Sequence, residues 1–543
     1  MAWLTTLRDQ FPLLLVLSPL MGVASASVAA FRAPDLTRYF AISNCVCTLL
    51  ILVGIEWQYE SDLVNHAAII RFAEQAQSAE NSEIAPPEQV RRKLDRMRSE
   101  RIQNHRFVAD GVNIFPALLL SVVTALIVCR FKPSQSDRNF SVPLILFFQS
   151  AALGTLLAND VIVFLLLSGL SVASFSFLIG IYGPTERRAI TERYLWEQCW
   201  GGSLILIGFS LLVVSIPWMK LQDSIGTPAL STSVSSIVQD IQRWTTRNEL
   251  AFHYQSEIFP WMLLVISIGF AIVSGLFPFH VSQINIIRNV PAELALLYVV
   301  GGLSANRIGW FRFVMPLSPD LLASFDEWVV IASVGGAIWG ALKVFDTADQ
   351  RNLIAYAFLS LSGMSLMGSY TFSWIGLCGT WLMQQQLNVL MCAALLTVGN
   401  AGSSGAALPP EPRFPTRTLL LLTGLPVLYF FSSGSLIISE LFRESLLLVT
   451  IMAAAVTLIV FKAIHMLNDR FSAEQQGTFR ALLFKALPRT TVLSYVLALL
   501  VAVLPSLLLR QCEPEFVRVF RRFEQSQAAV PADRGYVQRQ SAP

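Results

Sequence analysis

His280 sits directly behind the point, within residues 266–291, where a long apolar run is broken by Gly275 and Pro278. Proline lacks the N–H that the helix ladder needs and clashes with the carbonyl four residues earlier. A helix entering at about Pro260 is therefore predicted to kink or unwind between Leu276 and Phe279. Freed carbonyls and an imidazole at membrane depth are tolerated only where protein or a hydrated cavity satisfies them, and ion sites are built from interrupted helices in that way. The competing reading is a proline kink beside a structural histidine. Both stay open on the residues alone, since proline is common in membrane helices.

A second polar group lies in one apolar run further on, where Gln384, Gln385, Gln386 and Asn388 place four amides within five residues. Amides at such depth either line a water chain or bond neighbouring helices together. Glu197 and Glu293 stand at the starts of two apolar runs, and Asp160 stands at the start of another, where the helix dipole favours an acid. Arg307 and Arg312 fall toward the end of a run, so both are expected to snorkel to the interface. None of the seven cysteines forms a CxxC pair, and six lie within apolar runs or at their ends. They read as packing residues, with no case for zinc or an iron–sulfur cluster. No motif for NADH, flavin or quinone is present, so no cofactor, no metal and no catalytic residue is assigned to the chain.

The elements that must hold these groups are membrane helices. With 54% hydrophobic and 14% charged residues and a mean hydropathy of +0.57, the chain lies outside the soluble range. Fourteen apolar runs, each near the ~20 residues that span a bilayer, occur at about 11–31, 38–57, 108–130, 141–157, 160–182, 198–218, 257–279, 292–315, 323–345, 350–370, 373–398, 416–438, 441–466 and 486–509. The first ends in small residues, as a signal peptide would. Asp9 beside Arg8 spoils the basic start of such a leader, and the run is long enough to span. The prediction is an all-α polytopic membrane protein of about fourteen transmembrane helices.

Arginine and lysine collect in the odd-numbered loops, for example Arg130, Lys132 and Arg138, then Arg187, Arg188 and Arg193, and last Arg470, Arg480, Lys485 and Arg489. With an even helix count the positive-inside rule puts both termini on the non-cytoplasmic side of a membrane such as the bacterial inner membrane. The net charge of +3 makes no case for nucleic acid. Four parts follow: residues 1–57 with two helices, a charged extramembrane insertion at 58–107, a transmembrane core at 108–510, and an exposed, partly disordered tail at 511–543. The centre of the insertion, PPEQVRRKLDRMRSER, reads as a short surface helix opened by Pro86 and Pro87. Its basic side could meet lipid headgroups or a partner, or could be solvated, with internal pairs such as Glu88 with Arg92. Residues 220–257 read as an extramembrane loop, and Asp110 can cap the third helix.

The order of motifs resembles the antiporter-like membrane subunits of proton-pumping NADH:quinone oxidoreductase (respiratory complex I), the M-type or subunit 4 branch in particular, and their multi-subunit cation antiporter relatives. Asp110-Gly111 resembles that family's third-helix entry, and LGTLLANDVIVFLLL (153–167) its fourth-to-fifth helix signature. The turn and helix at 182–203, FAIVSGLFPFH (270–280), Leu353-Ile354-Ala355-Tyr356 and Gly424-Leu425-Pro426 follow in the family's order. The resemblance implies two inverted five-helix repeats with broken helices near Pro278 and Pro426, and a place among the membrane subunits of a respiratory or antiporter complex. It also implies ionisable groups along a hydrated axis. Here those positions carry other residues: Gly169 stands for the fifth-helix glutamate, Val273 for the seventh-helix lysine and Ser304 for the eighth-helix lysine. Asn388 stands at the eleventh-helix position, and Ser435 or Gly434 at the twelfth. None of these gains or loses a proton in the accessible range.

Three functions stay open. The chain could be a subunit of such a complex that keeps the fold and has lost its own proton channel. It could be a proton or cation transporter using an altered polar axis of His280, Glu293, Glu197, Gln385, Asn388 and Glu440. It could also be a membrane scaffold that binds a partner through the 58–107 insertion. Any redox activity would belong to other chains.

Overall fold

A computed structural model describes residues 2–32, 36–78, 105–130, 138–222, 237, 259–317, 326–347, 349–371, 373–402, 416–473 and 489–528. A helix lies over each of the fourteen apolar runs. In order they are α1 (Ala2–Arg32), α2 (Thr37–Ser78), α3 (Ile114–Arg130), α4 (Arg138–Leu157), α5 (Val161–Tyr182), α6 (Arg187–Gln222), α7 (Phe259–Val273) and α8 (Val281–Asn289). Next come α9 (Ala292–Phe313), α10 (Asp326–Asp346), α11 (Gln350–Tyr370), α12 (Trp374–Gly402), α13 (Thr416–Glu444), α14 (Leu446–Ala473), α15 (Arg489–Val503) and α16 (Pro505–Ala528). Among the described residues eight helices are long and apolar enough to cross a membrane by themselves, or nine if the bent pair α15 and α16 counts as one span.

Burial separates inner from outer helices. The apolar window of α9 is 94% buried and that of α11 is 83%, whereas those of α1, α5, α6, α10 and α14 are only 33–39% buried. The first two form the centre and the others present an apolar flank outward, as helices facing lipid must. Two aromatic clusters seat α9 against its neighbours. Phe175 packs on Phe148, Tyr194 and Tyr298 at centroid distances of 5.4–5.7 Å, and Phe164 packs on Phe270 and Phe313. A π-helical turn, Tyr298–Leu303, sits within α9, and such turns re-aim the side chains that follow them.

The break predicted near Pro278 is present. The ladder of α7 ends at Val273, Gly275 takes a φ of 61°, and the Phe277–Pro278 bond is cis. A Cβ at Gly275 would also meet Gln283 Oε1 at 2.6 Å, so both the left-handed backbone and the close approach call for glycine. The break expected near Pro426 is not. Helix α13 runs through that proline without interruption. Gly275 is the only positive-φ glycine among the described residues, so at 424–426 the missing N–H removes one ladder bond without redirecting the chain.

Two helices run across the boundaries drawn from the sequence. Helix α2 has 42 residues, about 63 Å at 1.5 Å per residue, and so carries some twenty residues of the expected insertion as its own continuation; the PPEQVRRKLDRMRSER segment lies outside the described residues. The tail does not leave the protein at residue 511. After a 64° bend at Leu504, α16 turns back and buries Cys512 and Phe516. Phe516 meets Phe311 of α9 at 5.7 Å, and Gly111 lies against the Gln511 carbonyl. Tyr59 donates to that same carbonyl at 3.0 Å and to Glu515 Oε1 at 3.1 Å. The amphipathic sequence of α16 explains this: its apolar residues recur at helical spacing, and the protein covers that face. The stretch beyond 528 lies outside the described residues.

Candidate functional site

The polar groups gathered inside this fold centre on Arg307, in the last third of α9. It is 5% exposed. Its Nε donates to the Ser274 carbonyl at the end of α7 (3.4 Å), and its guanidinium lies over the Phe358 ring of α11 at 5.2 Å. Gln384 of α12, with its carbonyl toward the guanidinium, accepts from Arg307 Nε at 3.1 Å and from Nη1, which leaves the amide nitrogen for Ser365 Oγ at 3.4 Å. No carboxylate among the described residues pairs with Arg307. The expectation that it snorkels is therefore corrected. A helix can send an arginine to the interface only along a free flank, and α9 is enclosed on all sides. The apolar residues around the whole circumference of the 292–313 run were the signal for that enclosure.

From Arg307 the polar groups extend both ways. Toward the break, Asn306 Nδ2 and Gln198 Nε2 of α6 both donate to the Val273 carbonyl (3.0 and 3.2 Å), and Asn306 Nδ2 also reaches Gln198 Oε1 at 3.4 Å. Ser168 of α5 donates to Asn306 Oδ1 at 3.4 Å. These bonds use a carbonyl that the end of α7 would otherwise leave open. On the other side, Asn388 Nδ2 of α12 donates to Ser304 Oγ of α9 at 3.2 Å and lies 3.5 Å from Gln385 Oε1. Gln386 turns to a different neighbour: its Nε2 donates to Ser432 Oγ (2.8 Å) and to the Val501 carbonyl (3.3 Å), and its Oε1 accepts from Ser433 Oγ (2.6 Å). The amide run thus both bonds helices together and continues the polar row.

The remaining expected residues fall into three groups. Asn388, Gln385 and Ser304 meet. Glu293 and Glu440 stand in ion pairs near helix ends, with Arg130 (3.8 Å) and Arg443 (3.8 Å), and Glu197 pairs with Arg193 (3.5 Å) one turn before it inside α6. His280 is half-buried at the start of α8, its Nδ1 3.1 Å from the Pro278 carbonyl and its ring stacked on Phe277 at 5.4 Å. Because a carbonyl only accepts, Nδ1 carries the proton.

Two positions matched by the resemblance face outward. A Cβ at Gly169 would meet nothing within 4 Å, and Ser435 is exposed and bonds only to the Ser432 carbonyl in its own helix. The residues that point inward in their place, one and two positions away, are Ser168, which meets Asn306 in the row, and Ser433, which meets Gln386 beside it, a rotation of 100–200° on a helix. Val273 is buried at the row, and it is its carbonyl that takes part. Arg312, also expected at the interface, instead grips Asp110 and the carbonyls of Leu156 and Ala158 at 3.2 and 3.3 Å. Asp110 does not cap α3 with its side chain: its Oδ1 accepts from Val112 N at 3.2 Å in the turn before the helix, and it is its backbone carbonyl that accepts from Ile114 N at 3.2 Å. Asp160 caps α5, through Ile162 N and Val163 N.

No family model matches the chain. Among curated relatives, NAD(P)H-quinone oxidoreductase chain 4 3 of Picosynechococcus sp. is 24% identical over 288 residues, 53% of this chain and 48% of its own length. NADH-quinone oxidoreductase subunit 13 of Thermus thermophilus is 26% identical over 273 residues, 49% of this chain and 51% of its own. The chain thus spans about half the length of these relatives. Among solved structures, a chain of respiratory complex I from Thermus thermophilus with bound NADH superposes with a TM-score of 0.66 at 18% identity, covering 93% of this chain and 99% of that one. A chain of the Mrp complex from Dietzia sp. does so with 0.63 at 13% identity, covering 97% and 100%. The homologues of this integral membrane protein are therefore the chain 4 and subunit M proteins of NADH-quinone oxidoreductases, and its fold is the one found in respiratory complex I and the Mrp complex.

Proposed function

We propose that the chain is an antiporter-like membrane subunit of a multi-subunit NADH:quinone oxidoreductase-type complex that keeps the fold and has lost a proton path of its own. The contact between Asn388 and Ser304 carries this reading. The two residues meet where the resemblance implies ionisable groups on the eighth and eleventh helices, and an amide and a hydroxyl do not titrate in the accessible range. A proton relay needs groups that change charge in step. Glu197, Glu293 and Glu440 are each engaged by an arginine and His280 bonds to the Pro278 carbonyl, so in this reading no pair of groups changes charge in step. In this reading the chain holds no cofactor, its partners are the other membrane subunits, and it sits in a bacterial inner membrane with both termini on the non-cytoplasmic side.

The test is isolation of the chain in mild detergent, with identification of the chains that accompany it, followed by proton flux in liposomes. Recovery with further membrane subunits of a quinone oxidoreductase, and flux no greater than that of empty vesicles, supports the proposal. Recovery alone or with an unrelated soluble protein overturns the subunit assignment, and robust flux overturns the loss of the path.

A further inference from the structure

A positive charge stands in the middle of the polar row with no carboxylate among the described residues to neutralise it. Arg307 is 5% exposed, and no carboxylate among the described residues pairs with it. Its guanidinium cannot be deprotonated in a protein. Ionisable groups inside a membrane protein are costly and mark functional positions. The contacts to Ser274, Gln384 and Phe358 fix where this one stands, between the broken helix and α12. They leave its Nη2 buried and unpaired.

Both sides of Arg307 carry further buried polar atoms without partners. Toward the break these are Ser274 Oγ, Ser282 Oγ and both amide atoms of Gln283, in α12 it is Gln385 Nε2, and in α11 it is Ser362 Oγ, one turn from the Phe358 ring under the guanidinium. Gln283 lies against Gly275, Ser274 is bonded through its carbonyl to Arg307, and Gln385 is bonded to Asn388. Buried polar atoms are almost always paired, by protein or by ordered water. A row of unpaired ones on each side of a fixed charge is the lining expected of a narrow polar path. An arginine in such a lining excludes protons and metal cations by repulsion.

We infer that Arg307 is a fixed gate charge: standing between the polar atoms of the broken helix and the amides of α12, it closes the row to protons and metal cations. The inference rests on the reading that the chain has no proton path of its own, and gives that loss an electrostatic cause besides the missing relay groups.

The experiment uses the full chain in liposomes, with a pH-sensitive dye inside and a potassium diffusion potential as driving force. It compares the unmodified chain with Arg307→Gln, which removes the charge, Arg307→Lys, which keeps it, and Gln384→Glu. The last is isosteric and places a carboxylate on the guanidinium through contacts already made, so it tests neutralisation in a protein expected to fold. Arg307→Gln and Gln384→Glu should each raise proton or sodium flux by about tenfold over the unmodified chain, while Arg307→Lys stays near it. Flux in a folded Arg307→Gln or Gln384→Glu protein equal to that of the unmodified chain overturns the gate. The lost-path reading is judged separately, by the unmodified chain against empty vesicles. Should that chain conduct, the gate still stands only if the two variants exceed it.

Discussion

Asn388 Nδ2 donates to Ser304 Oγ at 3.2 Å, across the contact between α12 and α9. Both are at most 1% exposed. Two neutral groups bonded to each other hold two helices in register and leave no proton to pass on. Hydrogen bonds of this type in membrane proteins average about 0.6 kcal/mol, and leaving one partner unpaired in a buried site costs more, about 1–3 kcal/mol. Asn388→Ala should therefore lower the thermal midpoint in detergent more than Ser304→Ala, because Gln385 loses its partner as well. Unfolding followed by fluorescence and size exclusion measures this, and equal midpoints for the parent and both variants would remove the structural role.

The pair Arg312 and Asp110 makes a sharper stability prediction. Their side chains are 10% and 15% exposed, and the same guanidinium serves the Leu156 and Ala158 carbonyls. Removing one partner of a buried pair typically costs about 3–5 kcal/mol, since the other charge is left uncompensated. Arg312→Leu should destabilise the chain by roughly that order, and Arg312→Leu with Asp110→Asn should be milder than the sum of the single changes. A double-mutant cycle on denaturation midpoints reads the coupling, and additive effects would show that the two residues act independently.

Gly275 and Pro426 should behave in opposite ways. Gly275→Val must hold a β-branched side chain at a φ of 61° and against Gln283, a backbone conformation that costs of order 1–3 kcal/mol, so yield and stability should fall. Pro426→Ala adds an N–H inside a helix that is already continuous and should leave the midpoint unchanged or raise it. Expression and monodispersity of the two variants check this, and a Pro426→Ala protein as damaged as Gly275→Val would restore the second broken helix.

His280 donates through Nδ1 to the Pro278 carbonyl and stacks on Phe277. Both contacts hold the ring against the break that precedes α8. His280→Ala should therefore give the same proton flux in liposomes as the unmodified chain under an imposed pH gradient. A robust flux abolished by His280→Ala would make it the relay of an altered-route transporter.

What the sequence by itself determined is the part of the structure set by local chemistry. Hydropathy placed a helix under every apolar run, because a backbone in lipid must satisfy its own hydrogen bonds. Gly275 and Pro278 located the break, and Asp160 located a helix start, because a missing N–H or a capping carboxylate acts within a few residues. The motif order from Asp110 to Pro426 pointed to the family of homologues. The tertiary structure alone decided which way side chains face. One residue is a rotation of about 100° on a helix, so Ser168 meets Asn306 and Ser433 meets Gln386 while Gly169 and Ser435 point outward. Whether a proline interrupts a helix also depends on its neighbours, and Pro426 has no left-handed residue beside it. The burial of Arg307 follows from the helices packed around α9 rather than from its distance to the end of its own apolar run. For the same reason the start of the polar tail is a packed helix: α16 has an apolar face, and Tyr59, Gly111 and Phe311, all distant in sequence, meet it there.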